Sequence, residues 1–419
     1  MAILVVCSDQ KDRQELSLKD DTFIFTDLDN SLFKKLLAGV EFQLALEYTP
    51  DVYLKKLHEL ADEHAITTLF NAYDYPGCIY TSVLAQERNL LAPSLDAILT
   101  CQHKYYSRKA QQKYVPEATP DFAIVSKDNH TEIERLSFPF FIKPVKSYLS
   151  AFARPVKSMQ DLQRYLESVT ISKEFLIPFD WAIKKYTDFE FDGSHFIAEQ
   201  MLKGRQVTLE GYVFEGDVGL IGIVDSVMMP GTISFERFVY PSLLPQHIQE
   251  KMFDISTRFV QGVGLDMSLF NIEFMYDDQT GDVHIIEINP RMSAQFCDLF
   301  SMVNGASNYD VLYDIVQGKK PNAFPGGEFE VSASLVCRQT KDQRVLHAPT
   351  PNELKNAQNR FPELRYYPWI GTGDKLSDVL QDGISYVYCW IHLGAQDHNE
   401  LNEKYEESKR LLPFLFEAI

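Results

Sequence analysis

Two short segments carry the residue types best spaced for chemistry. They are Asn271-Ile272-Glu273-Phe274-Met275-Tyr276 and Val283-His284-Ile285-Ile286-Glu287-Ile288-Asn289-Pro290-Arg291. Both alternate apolar and polar residues as strands do. Gln279-Thr280-Gly281 between them reads as a three-residue hairpin loop, with Gly281 at the third, left-handed position. Such a loop sets Asp278 against Asp282, and the same pairing carried back along the ladder sets Glu273 against Glu287. Period two adds Asn289 to that face. Opposed carboxylates repel and weaken a sheet. A divalent cation between them removes the conflict, with Asn289 adding a neutral oxygen. Oxygen-only donors, few of them from protein and the rest from phosphates and water, suit Mg²⁺, with Mn²⁺ as an alternative. Arg291, at the same parity, is placed to hold a further anionic group. Either glutamate alone reads as a solvent-facing position of an amphipathic hairpin; the matched set is what points to a metal site.

The elements that must position this hairpin read as α/β. Strands are expected at residues 3–7, 22–25 and 67–70, with a helix at 51–64. This alternation suggests a small parallel α/β domain over residues 1–99. No G-x-G-x-x-G follows the first strand, which argues against a dinucleotide site there. A basic helix is expected over 100–114, capped by Thr100 and ended by Pro116 and Pro120. Strands follow at 121–125, 139–145 and 196–201. Between them lies a helix at 158–169, capped by Ser158 with Asp161 three residues on. Hairpins are expected around Glu215-Gly216-Asp217 and Gln279-Thr280-Gly281, with a helix at 246–260 between them. Lys319-Lys320-Pro321 and Pro325-Gly326-Gly327 mark a boundary after Gly318. Strands at 331–337 and 384–391, a helix at 351–358 and an amphipathic helix at about 400–418 complete the chain.

The 419 residues include 40 Lys+Arg and 59 Asp+Glu, a net charge of −19. That balance excludes a broad electrostatic grip on nucleic acid or on an anionic membrane. Any bound anion must be held by a few placed cations or by a metal. The cysteines Cys7, Cys78, Cys101, Cys297, Cys337 and Cys389 form no C-x-x-C pair and sit in apolar runs. They are expected to be reduced and buried. Met1 to Cys7 has no basic n-region, and no apolar run is long enough to span a bilayer. The expected location is the cytoplasm, without membrane or nucleic-acid partners.

Glu273-x-Phe followed by Glu287-Ile-Asn-Pro-Arg291 resembles the signature of the ATP-grasp superfamily, whose branches include carboxylate–amine ligases and biotin-carboxylase-type enzymes. The resemblance implies that Glu273, Glu287 and Asn289 bind Mg²⁺ bridging the ATP phosphates, and that Arg291 stabilises a phosphorylated intermediate. Upstream, His103-Lys104-Tyr105 and Phe138-Pro139-Phe140-Phe141-Ile142-Lys143-Pro144 are similar to the family's two phosphate-lysine segments. Glu199-Gln200-Met201-Leu202-Lys203-Gly204-Arg205-Gln206 resembles its interlobe hinge. By that likeness Lys104 and Lys143 reach the phosphates, Glu199 takes the adenine amino group, the Met201 backbone meets the ring edge beside Gln200, and Gln206 contacts the ribose. The matches run in family order over about residues 100–318. Two departures stand out: Gln206 replaces the usual ribose Glu, and the loop Lys146-Ser147-Tyr148-Leu149-Ser150-Ala151 lacks the glycines that usually fold over the phosphates.

The implied fold is ATP-grasp: an N-terminal parallel α/β domain (1–99), a two-lobed nucleotide-binding domain (100–318; small lobe about 120–195, large lobe about 196–318) and a C-terminal α/β piece (319–419). The implied activity is an ADP-forming ligase that activates a small-molecule carboxylate as an acylphosphate and joins it to an amine. Arg237, beside Glu236, is a candidate clamp for the substrate carboxylate, against the alternative of a surface ion pair. A homodimer is a further expectation. A biotin-carboxylase-type enzyme is the alternative, disfavoured because Met292-Ser293-Ala294-Gln295-Phe296 replaces the Gln-Val-Glu-His run of those enzymes. A nucleotide-binding regulatory module without turnover is the other, favoured by the glycine-free loop and disfavoured by Arg291.

Overall fold

The computed structural model describes residues 2–27, 49–129, 131–147, 151–232, 234–379, 381 and 384–419. Tyr148, Leu149 and Ser150 of the glycine-free loop lie outside the described residues, as does Ile233.

The apolar run after Met1 becomes β1 (Ala2–Ser8), the middle strand of a parallel sheet with β2 (Thr22–Asp27) and β3 (Thr68–Phe70). A strand covered on both faces has no solvent side, which is why it reads as a continuous run and not as an alternation. The helix Pro50–Glu63 buries Tyr53, Leu54 and Leu57 against this layer.

A second sheet is antiparallel, in the order β4 (Phe122–Val125), β7 (Phe196–Gln200), β5 (Phe140–Pro144), β6 (Arg154–Val156). The helix Met159–Ser168 closes it, with the Asp161 N–H donating to Ser158 Oγ at 3.2 Å as the cap requires. The basic helix starts later than expected. Thr100 lies inside a separate helix, Leu95–Gln102, and His103 is extended (φ −87, ψ 100). The chain breaks there because the Lys104 N–H donates to the Val145 carbonyl at 3.1 Å. That bond ties the first residue of the helix Lys104–Tyr114 to the exit of β5.

The third sheet is eight-stranded, in the order β12 (Val283–Asn289), β11 (Ser268–Tyr276), β8 (Arg205–Phe214), β9 (Asp217–Met228), β10 (Phe235–Tyr240), β13 (Val331–Gln339), β16 (Tyr386–Ala395), β15 (Arg365–Pro368). The segment after Gly318 therefore adds strands to the same sheet that carries the Glu273–Glu287 hairpin. Leu209, Ile272, Phe274 and Ile288 pack one face of the sheet against Met252, Ile255 and Phe259 of the helix Gln246–Gly262. The expected terminal helix ends at Leu411, ahead of Pro413. Proline cannot continue the helix, and the chain finishes as β17 (Leu415–Ala418), paired with β14 (Gln343–His347).

One buried polar knot joins the N-terminal and C-terminal segments. Lys11 Nζ reaches Glu15 (2.9 Å), Asp298 (3.0 Å) and the Tyr367 hydroxyl (2.7 Å), while Asp298 accepts from His392 Nδ1 (2.7 Å). Glu15, Cys297 and Asp298 converge closely enough for a metal ion, but the Lys11 ammonium already supplies the positive charge there. All six cysteines are buried and unbridged. Among the described residues, no helix is long and apolar enough to cross a membrane.

Candidate active site

The expected pairing of Glu273 with Glu287 is present, but by a different route. Tyr276 pairs with Val283, and the Asp277 N–H donates to the Asp282 carbonyl (3.0 Å). The loop therefore holds four residues, Asp278 to Gly281, and not three. Gly281 still takes the left-handed conformation (φ +76). The longer loop shifts the register by one, and a bulge between Glu273 and Phe274 on the β11 ladder shifts it back. Bulges re-aim side chains in this way beside functional sites. The residue skipped on β12 is Ile286. Its carbonyl accepts from Arg108 Nη2 at 2.8 Å and from Lys143 Nζ at 3.3 Å. The irregularity that restores the register thus also anchors two cations.

Around it, β8, β11 and β12 present one polar face. Ladder pairing places Gln206, Thr208 and Glu210 beside Met275, Glu273 and Asn271, with Glu287 and Asn289 across from Glu273 and Asn271. Gln206 Nε2 donates to Glu273 Oε2 at 2.9 Å. Lys104 Nζ stands 2.9 Å from Glu287 Oε1. Burial alone would raise the Glu287 carboxyl, but Lys104 and Lys143 outweigh it and hold the group low. Burial pushes Glu273 the other way, and the charge of Glu287 pushes it further. This hairpin therefore holds two opposed buried carboxylates, one of them driven toward protonation.

The hinge residues are brought to the same place. Both oxygens of Glu199 are taken, by Arg108 Nε and Lys143 Nζ at 2.8 Å each. Burial opposes this charge, but the two cations keep the carboxyl below its usual range. The adenine contact implied by the resemblance therefore meets a carboxylate already holding two cations. Gln206 likewise points to Glu273. Gln200 and Met201 lie where β7 leaves its sheet, and the Gln200 N–H donates to the Asp121 carbonyl at 2.8 Å. Just beyond, Gly204 sits at φ +119, and a Cβ there would stand 2.0 Å from the Tyr276 carbonyl oxygen. Gly204→Ala is expected to lose more than about 1 kcal/mol, since neither the backbone angle nor the space suits a side chain; thermal unfolding with an unchanged midpoint would contradict this.

Arg291 donates to Asp74 Oδ2 through Nε at 3.0 Å, and its Nη2 stands 3.0 Å from the same oxygen in the ion pair. Asp74 follows β3 on the parallel sheet, and Lys146 Nζ lies 3.9 Å from its Oδ1. Arg237 is not brought to the site. It pairs with Val227 and Leu335, one position out of step with Phe238 and Ser226, so it lies on the opposite face of the sheet from Gln206. There its Nη1 donates to Asn402 at 2.9 Å.

Sequence reasoning missed Arg108, Glu210 and Asp74. Arg108 stands four residues after Lys104 and so shares its helix face, a readable signal. Glu210 continues the period-two row of Gln206 and Thr208, also readable. It accepts from Asn271 (2.9 Å), Asn308 (2.6 Å) and the Ser293 N–H (3.0 Å), and so holds the segment just after Arg291. Burial pushes its carboxyl up to about 7. Asp74 has no motif around it; only its place after a parallel strand marks it, since ligands of open α/β sheets bind beyond the carboxyl ends of strands.

The family model described as "ATP-grasp domain" matches residues 136–299. The chain contains an ATP-grasp domain. That span covers Lys143, the hinge, both glutamates, Asn289 and Arg291. The chain is 28% identical over 163 residues to the C-terminal section of the carbamoyl phosphate synthase large chain of Methanopyrus kandleri, covering 38% of this chain and 27% of that one. It is 21% identical over 237 residues to the carbamoyl phosphate synthase large chain of a Thermoanaerobacter strain, covering 55% and 20%. The chain thus spans about a quarter or less of the length of these relatives. In structure it is similar to an L-amino acid ligase from Bacillus licheniformis, with a TM-score of 0.72, 15% identity and coverage of 100% and 99%. It is also similar to biotin carboxylase from Campylobacter jejuni, with a TM-score of 0.66, 14% identity and coverage of 99% and 92%. These likenesses show the ATP-grasp fold for the chain as a whole.

Proposed function

We propose that the chain is an ATP-dependent, ADP-forming ligase that activates a small-molecule carboxylate as an acylphosphate and joins it to an amine. The observation that carries this reading is the opposed pair Glu273 and Glu287, with Asn289 on the same face and Lys104, Lys143 and Arg291 around it. The donor set fits Mg²⁺: the oxygens are hard, and like charges opposed across a ladder need a cation between them. When bound there with ATP, the metal would screen the phosphate oxygens. Glu273, Glu287 and Asn289 hold it in this reading.

The residues then divide the work by position. Lys104 and Lys143 neutralise phosphate oxygens as point charges; each now rests on a carboxylate, Glu287 or Glu199, that a nucleotide would displace. Gln200 and Met201 give the adenine edge a backbone, and Glu199 and Gln206 border the nucleoside. A substrate carboxylate oxygen attacks the γ-phosphorus, the bond to the β-phosphate oxygen breaks and ADP leaves. An amine nitrogen then attacks the acyl carbon, phosphate leaves and the nitrogen loses a proton. Arg291 stands beside the acylphosphate and offsets its charge. Positioning and preorganised charge carry such a reaction. The ligase named among the structural neighbours fits this reading, and small-molecule carboxylates and amines are its partners.

The test is ADP release from Mg-ATP across a panel of carboxylates, each with and without amines, with mass detection of the product. ADP formation that needs a carboxylate, with a mass corresponding to the joined product, is the expected result. Tight ATP binding with no ADP from any carboxylate would instead mark a nucleotide-binding module.

A further inference from the structure

Asp74 is a buried-edge carboxylate that the reaction above leaves unused. Its Oδ2 is filled by two Arg291 nitrogens at 3.0 Å. Its Oδ1 accepts from Gln102 Nε2 at 3.0 Å and faces Lys146 Nζ at 3.9 Å, too long for a hydrogen bond. Oδ1 therefore keeps room for another donor. The pair is reachable from solvent, because the Asp74 and Arg291 side chains are each 22% exposed.

Gln102 adds an independent observation. It is 6% exposed, and its Oε1 has no hydrogen-bond partner. Turning the amide over would set that oxygen against Asp74 Oδ1, so the carboxylate dictates the orientation seen. A buried acceptor left unmet costs about 1–3 kcal/mol. The flank of Arg291 formed by Asp74 and Gln102 thus has acceptor capacity to spare beside a guanidinium that takes acceptors. The complement of such a pair is a zwitterion with its carboxylate and ammonium one carbon apart.

We propose that Asp74, with Gln102, forms an ammonium subsite, and that the carboxylate activated in this chain is an α-amino acid whose α-carboxylate meets Arg291 while its α-ammonium meets Asp74. The proposal rests on the ligase reading and adds to it a substrate class and two specificity-determining residues. No bond changes at the ammonium; its protons are donated to Asp74 Oδ1 and Gln102 Oε1.

The experiment compares each L-α-amino acid with its des-amino acid, such as alanine with propionate and phenylalanine with 3-phenylpropionate. Both ADP release and binding in the presence of Mg²⁺ and a non-hydrolysable ATP analogue are measured on the full chain. The wild type is expected to prefer the amino acid. In Asp74→Asn the preference, read as the ratio of the two, is expected to fall about 30-fold or more. Gln102→Met is expected to lower the same ratio by about fivefold. Equal treatment of amino and des-amino acids by the wild type overturns the subsite and leaves the ligase reading standing. An Asp74→Asn variant that loses both substrates in the same proportion also overturns it, because Asp74 would then act only by holding Arg291. Absence of ADP with every carboxylate removes the ligase reading, and the binding comparison then decides the subsite alone: a wild-type preference that Asp74→Asn abolishes supports it, and absent or equal binding overturns it.

Discussion

Glu287→Gln should lose Mg²⁺-dependent ADP formation by at least about 10²–10³-fold, the scale of removing one preorganised electrostatic group from an active site. Of the opposed pair, Glu287 is the carboxylate that Lys104 and Lys143 keep ionised against burial, whereas burial and its neighbour drive Glu273 toward protonation. The amide removes the negative charge that a cation at this face needs most. The fold should survive, because two effects oppose. Loss of the Glu287 charge relieves repulsion with Glu273 across the ladder, while Lys104 loses its partner at 2.9 Å. Two readouts check this. The wild type should gain thermal stability from Mg²⁺ and ADP together, by mass action on the folded state, and the variant should not. Wild-type turnover in Glu287→Gln, or an unaltered Mg²⁺-dependent rise in midpoint, would remove the metal site.

Arg108→Met should destabilise the chain by about 3–5 kcal/mol, the usual result of removing one partner from a buried ion pair. Its side chain is 2% exposed, donates to Glu199 at 2.8 Å and to the Ile286 carbonyl at 2.8 Å, and ties the helix Lys104–Tyr114 to both β7 and β12. The methionine fills similar space but strands part of the Glu199 charge and leaves the bulge carbonyl with Lys143 alone. The midpoint of thermal unfolding should drop on the order of 10 °C. Adding Glu199→Gln should recover much of that loss, because the stranded charge is then gone. Activity should not return with it, since the Ile286 carbonyl in the bulge beside Glu287 then keeps only the longer bond from Lys143. A single variant within about 0.5 kcal/mol of wild type would show that this contact behaves like a surface pair.

The route to the Glu273–Glu287 pairing shows how far local rules reach. Alternation identified both strands, and the glycine identified the turn. The loop is one residue longer than the position of its glycine implies, and a bulge at Ile286 restores the pairing. A bulge has no reliable sequence mark because it is chosen by what its free carbonyl binds, here Arg108 and Lys143. Likewise, Thr100 suits a helix start by composition, but the bond from Lys104 to Val145 placed the start four residues later. Arg237 lies in the right segment yet faces Asn402, because neighbouring strands set its parity. Pro413, by contrast, is a local stop for the last helix that the sequence itself carries.

By itself the sequence determined which residues become strands and which oxygens they carry, since side-chain period and turn conformation depend on neighbours a few positions away. The folded chain decided which charges meet. Asp74 and Arg291 are separated by 217 positions and Arg108 and Ile286 by 178, and contacts so distant follow from how whole sheets and helices stack. A carboxylate written in the sequence becomes a metal ligand, an anchor or a recognition group only when packing selects its neighbours and removes its water.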